Sequence, residues 1–231
     1  MTSTNAGIND LMRFYLPRSD GEPNLFEIWE RGEARGDSVT PSTYSSAYRE
    51  WMQDKLVDAL KDHGTSRLLS LGSGNAAVES DIAQGGYRVL AVDAMPEAVA
   101  MAKAKGVDAL QGDVTTWSPE GDWPVIYMDG LLGHLYTAEH GLSPMLTRIR
   151  TWLSGNATGR GTLIASNDST QDGSAAQCAP GVDGFHWLSA RYIRDEALAA
   201  GFSEVTTETF LYERPLSGER ARAVITATIG H

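Results

Sequence analysis

Cysteine is nearly absent from this chain, because Cys178 is the only one in 231 residues. One cysteine cannot form a disulfide within the chain or supply a thiolate metal cluster, which is typical of a protein from a reducing compartment. Basic residues are also scarce, since 19 Lys and Arg stand against 30 Asp and Glu, a net charge of −11. Nucleic acid and anionic lipid repel an acidic chain, so we expect neither as a partner.

Long apolar runs are absent as well. No stretch approaches the roughly 18 residues that cross a membrane, and the amino terminus lacks the basic start and apolar run of a secretion signal. The five histidines are scattered without metal-ligand spacing, so we expect no metal site. Hydrophobic residues make up 42% of the chain, which is enough for a core. These features together predict a cytoplasmic globular protein.

The first forty residues combine glycine and proline with several aromatic side chains. The aromatic residues are Phe14, Tyr15, Phe26 and Trp29. A plain linker has few aromatics, so this segment is predicted to pack or close over another part of the chain. A regular helical pattern follows, with Ser42 as its predicted N-cap. We therefore expect a cap at 1–41 and one domain at 42–231.

Short apolar runs alternate with helical patterns over most of the chain, and they are predicted to be buried strands. They lie at 67–71, 87–92, 107–110, 124–128, 161–165, 205–212 and 223–229. The last two have no helix between them, which predicts an antiparallel hairpin. The predicted fold is α/β and doubly wound, with a seven-stranded, mostly parallel sheet that contains one antiparallel strand.

Glycines and aspartates follow the ends of successive predicted strands. The sequence GSG at 72–74 follows the first strand, and Asp93, Asp113 and Asp129 follow the second, third and fourth. In an open parallel sheet these ends meet at one edge, where ligands bind. Glycines let the backbone approach a ligand closely, Asp93 can accept both hydroxyls of a ribose, and Asp113 can accept from an adenine amine. No Lys or Arg follows these strands, which disfavours a pyrophosphate and favours a nucleoside.

Four stretches carry a resemblance to a known family: LLSLGSGNAAVE, VLAVDAMPEAVAMAKAKG, LQGDVTTW and PVIYMDGLLGHL. With the terminal hairpin, they are similar to the class I (Rossmann-like) S-adenosylmethionine-dependent methyltransferases over 42–230. The resemblance implies S-adenosyl-L-methionine as the co-substrate. The residues expected at this cofactor on that basis are Leu71, Gly72, Ser73, Gly74, Asp93, Ala94, Met95, Gly112, Asp113, Val114, Asp129, Gly130 and Leu131. Tyr44 and Tyr48 share one face of the preceding helix and are candidates for contacts to the methionine carboxylate and sulfonium, with core packing as the alternative.

Two positions depart from the family pattern. Ser70 stands where the family has an acidic residue that helps hold the cofactor's ammonium group, and Ala76 replaces the third glycine. An alanine is compatible with the turn if its φ angle is negative. Without the acid, the ammonium group is expected to lose its proton more readily.

Catalytic residues are less visible than cofactor residues, because the methyl group of a sulfonium is already activated and the protein mainly aligns the reactants. His134 follows the fourth strand and is a candidate general base, with a structural histidine as the alternative. Asn167 and His186 belong to the segment 166–187 after the fifth strand, which is either part of the acceptor site or a surface loop.

The main hypothesis is methyl transfer to an oxygen or nitrogen of a small-molecule acceptor. An alternative uses the same cofactor: its neutral amine attacks its own γ-carbon, which gives azetidine-2-carboxylate and methylthioadenosine. A third possibility is a non-catalytic nucleoside-binding domain. An NAD site is also compatible with Gly72, Gly74 and Ala77 as G-x-G-x-x-A, but Asp113, the terminal hairpin and the lack of a second mononucleotide-binding half disfavour it.

Overall fold

The computed structural model describes residues 13–230. A seven-stranded sheet has the order β3-β2-β1-β4-β5-β9-β8. Its strands are β1 Arg67–Leu71, β2 Arg88–Asp93, β3 Asp108–Gln111, β4 Val125–Asp129, β5 Gly161–Asp168, β8 Glu204–Arg214 and β9 Gly218–Ile229. The pairs among β1 to β5 are parallel, whereas β9 runs antiparallel to both β5 and β8. The predicted α/β fold, with one antiparallel strand in this sheet, is confirmed.

Helices cover both faces of the sheet, as the buried strands require. They are α1 Leu25–Glu30, α2 Pro41–Tyr44, α3 Ser46–Asp62, α4 Ala77–Gln84, α5 Pro96–Ala104, α6 Leu132–Leu135, α7 Ser143–Ser154 and α8 Ala190–Ala199. Apolar side chains of α3, α4 and α5 form one buried cluster with the sheet, and those of α7 and α8 form another on its opposite face. Within the described residues, no helix combines the length and apolar character needed to cross a membrane.

The helix before β1 begins later than predicted. Ser42 lies within α2, and Ser45 is the residue that caps the long helix α3, where its side chain accepts a hydrogen bond from the Tyr48 N–H. Ser45 has an extended backbone, with φ −131° and ψ 108°, so the chain breaks between the two helices. Pro41 occupies the first position of α2 and explains why a separate helix begins there, because proline favours a helix start.

The segment 166–187 is more ordered than a loop. β5 continues to Asp168, and a small hairpin follows in which β6, Ala176–Cys178, pairs antiparallel with β7, His186–Leu188. Each of these strands has three residues. Runs this short carry no readable alternation of apolar and polar residues, so the sequence pattern did not reveal them.

A single buried arginine holds the described part of the predicted cap together. The Arg35 guanidinium donates to the carbonyl oxygens of Phe14 and Leu16 at 3.1 Å each and of Pro23 at 2.8 Å. Its Nε also lies 3.1 Å from a carboxylate oxygen of Glu22. Because these partners are spread over 14–23, one side chain fixes the path of that whole stretch. Residues 1–12 of the predicted cap lie outside the described residues, and its boundary at 41 stays a prediction.

Two acidic residues of this segment, Glu30 and Asp37, tie it to the rest of the chain. Glu30 accepts from the Asn75 side chain at 3.2 Å and from the Lys105 ammonium at 2.5 Å. The Asp37 carboxylate accepts from the backbone N–H groups of Leu216 and Ser217, at 2.9 and 3.0 Å. The cap is therefore anchored near β1 and α5 on one side and at the β8–β9 turn on the other.

Replacing Arg35 with alanine tests whether the cap depends on this side chain. The substitution leaves three carbonyl groups without their donor and removes the ion-pair partner of Glu22. We therefore expect faster amide hydrogen exchange in residues 14–40, by about 2 kcal/mol or more in opening free energy. Exchange in the sheet is expected to change less. Arg31→Ala, which removes an exposed arginine of the same segment, is the matched control. Equal exchange in both variants would contradict the assigned role.

Candidate functional site

A cavity of about 900 Å³ lies between the carboxyl ends of the strands and the cap. This volume is in the upper part of the range of ligand pockets, roughly 300–1,000 Å³. Residues after β1, β2, β3 and β4 line it from below, and aromatic residues of the cap and of the hairpin loop line it from the other sides. The strand ends predicted to meet at one edge therefore do border a single volume.

The turn after β1 depends on glycine. Gly72 has φ +70°, and a Cβ atom there would lie 3.0 Å from the Leu131 side chain, so glycine is needed for both conformation and space. Gly74 has φ +54°, and Phe26 of the cap lies directly above it. Ala76 does not meet the condition under which an alanine is compatible with the turn, since its φ is +52°. An alanine in this left-handed conformation costs on the order of 1–2 kcal/mol, so the turn is strained.

Asp93 is fixed by the same turn. Its two carboxylate oxygens accept one backbone N–H each, from Gly74 at 3.0 Å and from Met95 at 2.9 Å. Burial raises the pKa of Asp93 to about 6, although these hydrogen bonds oppose the shift. Each oxygen keeps a further lone pair that can accept from a ligand. The residue lines the cavity together with Ala94.

Asp113 stabilises the turn that follows β3. One of its oxygens accepts from the backbone N–H of Thr115 at 2.9 Å and from the Thr115 hydroxyl at 2.7 Å. This pattern holds the turn after β3. Gly112, Asp113 and Val114 all border the cavity, at the side near Asp93 and Met95.

Asp129 lies at the centre of a buried network of polar side chains. One of its oxygens accepts from Tyr48 at 3.2 Å, from Ser166 at 2.5 Å and from Arg222, and the other accepts from Tyr127 at 3.1 Å. Gly130 and Leu131, the next residues, also border the cavity. With four donors, the Asp129 carboxylate is held in one orientation.

Arginines of β8 and β9 extend this network. Arg222 also binds Asp168 at 3.2 Å, and Arg214 forms a second ion pair with Asp168. Burial opposes ionisation of Asp168, but the two guanidinium groups keep its pKa below the ordinary value. Four arginines line the cavity, and they come from the cap and the terminal hairpin rather than from the turns after β1 to β4: Arg18, Arg35, Arg214 and Arg222. Arg222 lies directly across from Asp168 in the β5–β9 register. The final strand begins at Gly218, five residues before the predicted start at 223, so the sequence reasoning left Arg222 outside the sheet.

Three residues expected at the cofactor do not border the cavity. Tyr48 is fully buried on α3, where its ring packs in the core and its hydroxyl supports Asp129 from behind. Leu71 is also buried in the core. Tyr44 is 37% exposed and is not among the lining residues. The break at Ser45 explains why Tyr44 and Tyr48 do not share one helix face.

The three candidate catalytic residues differ in whether they border the cavity. His134 borders the cavity, whereas Asn167 and His186 do not. Asn167 is fully buried and links its own strand β5 to helix α6 and strand β7. It accepts from the Gly133 N–H at 2.9 Å and donates to the carbonyl oxygens of Asp168 and His186. The position of Asn167 therefore favours a structural task.

His134 is joined to the cap. Its Nε2 lies 3.0 Å from the Tyr15 hydroxyl, and its ring packs against Phe185 with centroids 4.5 Å apart. The Tyr15 ring stacks on Phe26 at 5.0 Å. Burial, and to a lesser degree His186, lower the pKa of His134 to about 3. The imidazole is therefore neutral near pH 7, and with so low a pKa it is a weak base.

Glu79 is the cavity residue that the sequence reasoning missed. It lies in the first turn of α4 with 4% of its surface exposed, and its carboxylate accepts from the Ser70 hydroxyl at 2.5 Å. Burial raises the pKa of Glu79 to about 7. An acid is therefore present beside Ser70, although it comes from the following helix. A glutamate between Val78 and Ile82, on the buried side of an amphipathic helix, was the signal in the sequence.

Replacing Glu79 with glutamine tests this shift. Because the folded protein binds this proton more tightly than the unfolded chain, whose glutamate has a pKa of about 4.5, the related stability is present at low pH and is lost as the pH rises through 7. We expect the unfolding free energy of the variant, relative to the wild type, to increase by about 2 kcal/mol between pH 5 and pH 8. Urea unfolding of both ligand-free proteins measures it. A relative stability that is independent of pH would contradict the burial argument.

In the described part of the chain, no group of three or more His, Cys, Asp or Glu side chains is placed to hold a metal ion. No family model matches the chain. A tabtoxin biosynthesis enzyme of Pseudomonas amygdali pv. tabaci is 41% identical over 213 residues, which cover 91% of this chain and 82% of that protein.

Solved structures of methyltransferases share the fold. Magnesium protoporphyrin IX methyltransferase (ChlM) from Synechocystis PCC 6803, with bound S-adenosylmethionine, has a TM-score of 0.62 at 17% identity, over 98% of this chain and 99% of that one. The 1,6-didemethyltoxoflavin-N1-methyltransferase of Burkholderia thailandensis, with its acceptor and S-adenosylhomocysteine bound, has a TM-score of 0.56 at 16% identity, over 85% and 94%.

Proposed function

The chain belongs to the family of the tabtoxin biosynthesis enzyme and has the fold of class I S-adenosylmethionine-dependent methyltransferases, and from this premise we propose that it is an S-adenosylmethionine-dependent methyltransferase acting on a small molecule. The observation that carries the proposal is the shared cavity. It brings the glycine turn at 72–74 together with Asp93, Asp113 and Asp129 around one volume.

In the proposed binding mode the ribose hydroxyls donate to Asp93, whose orientation the turn already fixes. The adenine lies between Met95 and the residues after β3, near Asp113 and Val114. The methionine part passes Gly72, and the sulfonium lies above 129–131. Each of these residues borders the cavity, and each lies at the end of a rigid strand or in the turn after it.

Methyl transfer places few demands on acid–base groups. The nucleophile displaces the sulfur in line, and the protein contributes alignment and exclusion of water. The cap supplies that exclusion here, since Phe26 lies against Gly74 and Tyr15 stacks on Phe26. A weak base such as His134 is compatible with an acceptor that arrives unprotonated, for which no general base is needed.

We propose a small acceptor with an oxygen or nitrogen nucleophile. The cap and the hairpin loop, which cover the site, support the small size. The cavity continues past the proposed sulfonium position, between the hairpin loop at 179–185 and Arg214. The cap and the hairpin border this part from two sides, which suits a small molecule better than a polymer. A relative in tabtoxin biosynthesis and a neighbour with bound 1,6-didemethyltoxoflavin agree with this acceptor class.

Cyclisation of the cofactor is a second candidate, and the contact between Tyr15 and His134 favours it. This contact joins the cap to α6 directly beside the residues proposed to lie under the sulfonium. A site covered there suits an intramolecular reaction. The amine lone pair would attack the γ-carbon, the bond from that carbon to sulfur would break, methylthioadenosine would leave, and a base would take the amine proton.

Incubation of the purified protein with S-adenosylmethionine alone separates the two candidates. Under the methyltransferase proposal, no rapid turnover is expected until an acceptor is added, and S-adenosylhomocysteine then forms. Methylthioadenosine released without an acceptor would contradict methyl transfer and support cyclisation. Liquid chromatography with mass spectrometry distinguishes the two products. Binding without turnover, across a panel of amine and hydroxyl acceptors, would instead indicate a non-catalytic domain.

Asp93→Ala tests the ribose contact. Loss of charge-assisted hydrogen bonds is expected to weaken S-adenosylhomocysteine binding by about 1.5–3 kcal/mol, or about 10- to 150-fold in Kd. Calorimetry measures the affinity, and circular dichroism checks that the variant is folded. Asp108→Ala, an exposed aspartate at the other end of the neighbouring strand β3, is the control. An unchanged Kd in the Asp93 variant would show that the binding mode is wrong.

A further inference from the structure

We infer that Glu79 and Ser70 form a subsite for an ammonium group, and that this subsite takes the α-ammonium of the amino-acid end of the bound nucleoside. The inference rests on the proposed function, because it requires a nucleoside that carries an amino acid. Nothing in the family pattern points to Glu79, since the acid expected there would stand at position 70.

The position of the carboxylate is the first support. Ser70 is the last residue but one of β1, and Gly72 follows the end of that strand. The Ser70 hydroxyl donates to one oxygen of Glu79 at 2.5 Å and so holds the carboxylate beneath the glycine turn. Glu79 and Ser73 both border the cavity there, and the buried Ser73 hydroxyl has no hydrogen-bond partner in the structure.

The charge balance is the second support. In the part of the chain that the structure describes, no Lys, Arg or His forms an ion pair with Glu79. Two cations whose charges act on Glu79 have their hydrogen bonds and ion pairs elsewhere: Lys105 binds Glu30 and the carbonyl oxygen of Asn75, and Arg49 binds Asp81. A buried carboxylate without a counter-charge is costly, so a cationic ligand group is favoured there.

The ionisable groups of the neighbouring strand β4 do not supply a positive counter-charge for the Glu79 carboxylate. Asp129 and Tyr127 of β4 face it, and the charge of Asp129 adds to the effect of burial on the Glu79 pKa. Asp129 itself is balanced by Arg222. The neighbourhood is therefore negative around Glu79 once its carboxyl group is ionised.

S-Adenosylmethionine carries two cationic groups, and only its ammonium group can donate a hydrogen bond to the Glu79 carboxylate. A sulfonium has no N–H or O–H group to donate, whereas an ammonium has three. The Glu79 carboxylate keeps acceptor capacity beyond its bond from Ser70, and an ammonium can use it in a charge-assisted hydrogen bond. The amino-acid end of S-adenosylmethionine carries this group, and the proposed binding mode brings that end to Gly72.

Two nucleosides that differ in this end provide the test. S-Adenosylhomocysteine has the amino acid, and 5′-methylthioadenosine lacks it. At pH 8, Glu79→Gln is expected to raise the Kd of S-adenosylhomocysteine by about tenfold or more and to change that of methylthioadenosine less than about twofold. Calorimetry with each ligand measures both values. Glu79→Asp keeps a carboxylate and is expected to recover part of the affinity, and Glu50→Gln, at an exposed site on α3, is the control.

The pH dependence gives a second readout. Since the ammonium favours an ionised Glu79, the wild-type affinity for S-adenosylhomocysteine is expected to fall as the pH drops from 8 to 5, approaching about tenfold per pH unit well below 7. Methylthioadenosine binding and the Glu79→Gln variant should show only the weaker dependence that protonation of Asp93, whose pKa is about 6, gives to both nucleosides.

Equal weakening of both nucleosides in Glu79→Gln, or no weakening of either, would overturn the subsite. The proposed function fails in a different way, because the wild-type protein would then bind neither nucleoside. If Glu79→Gln does not fold, Glu79→Asp and the wild-type pH profile remain as tests. A wild-type profile for S-adenosylhomocysteine that is no steeper than the profile for methylthioadenosine would overturn the inference on its own.

Discussion

The buried ion pairs among Asp129, Asp168, Arg214 and Arg222 are the constraint on which the site depends. Breaking such a network by removal of one partner leaves an uncompensated buried charge, which costs on the order of 3–5 kcal/mol. The Asp168 and Arg222 backbones lie across from each other in the β5–β9 register, and Arg222 then reaches Asp129 on β4. The antiparallel strand therefore fixes the parallel strand ends that border the cavity, and the orientation of Asp129 follows from this register.

The cap makes the edge of the sheet into a covered cavity. Arg35 holds the path of the cap through carbonyl groups that lie far apart in sequence, and Tyr15 and Phe26 bring aromatic surface over the glycine turn. Such cover excludes water, and low local polarity strengthens each interaction within the cavity. The same burial that suits the proposed chemistry also raises the pKa values of Glu79 and Asp93.

The sheet was predictable because buried parallel strands are short apolar runs that end at glycine or aspartate, and β1, β2 and β4 all have this form. The position of Asp93 beside the glycine turn follows from the same rule. The hairpin of β6 and β7 was not predictable, since three-residue strands have no readable period. For Tyr48 the sequence left a cofactor contact and core packing open, because helical spacing shows which residues share a face and does not show what that face contacts. In the structure its side chain is fully buried in the core.

The sequence by itself determined the fold class, the ends of β1, β2 and β4 and the aspartates at Asp93 and Asp129, because local propensity and hydrophobic period specify these without long-range contacts. Which polar and charged side chains contact one another was decided only by the tertiary structure. Glu79 beside Ser70, Arg222 across from Asp168 and Tyr15 against His134 join residues 9, 54 and 119 positions apart. Contacts across such separations arise only when elements pack, because charge compensation in a buried site depends on distance in space and is independent of separation along the chain.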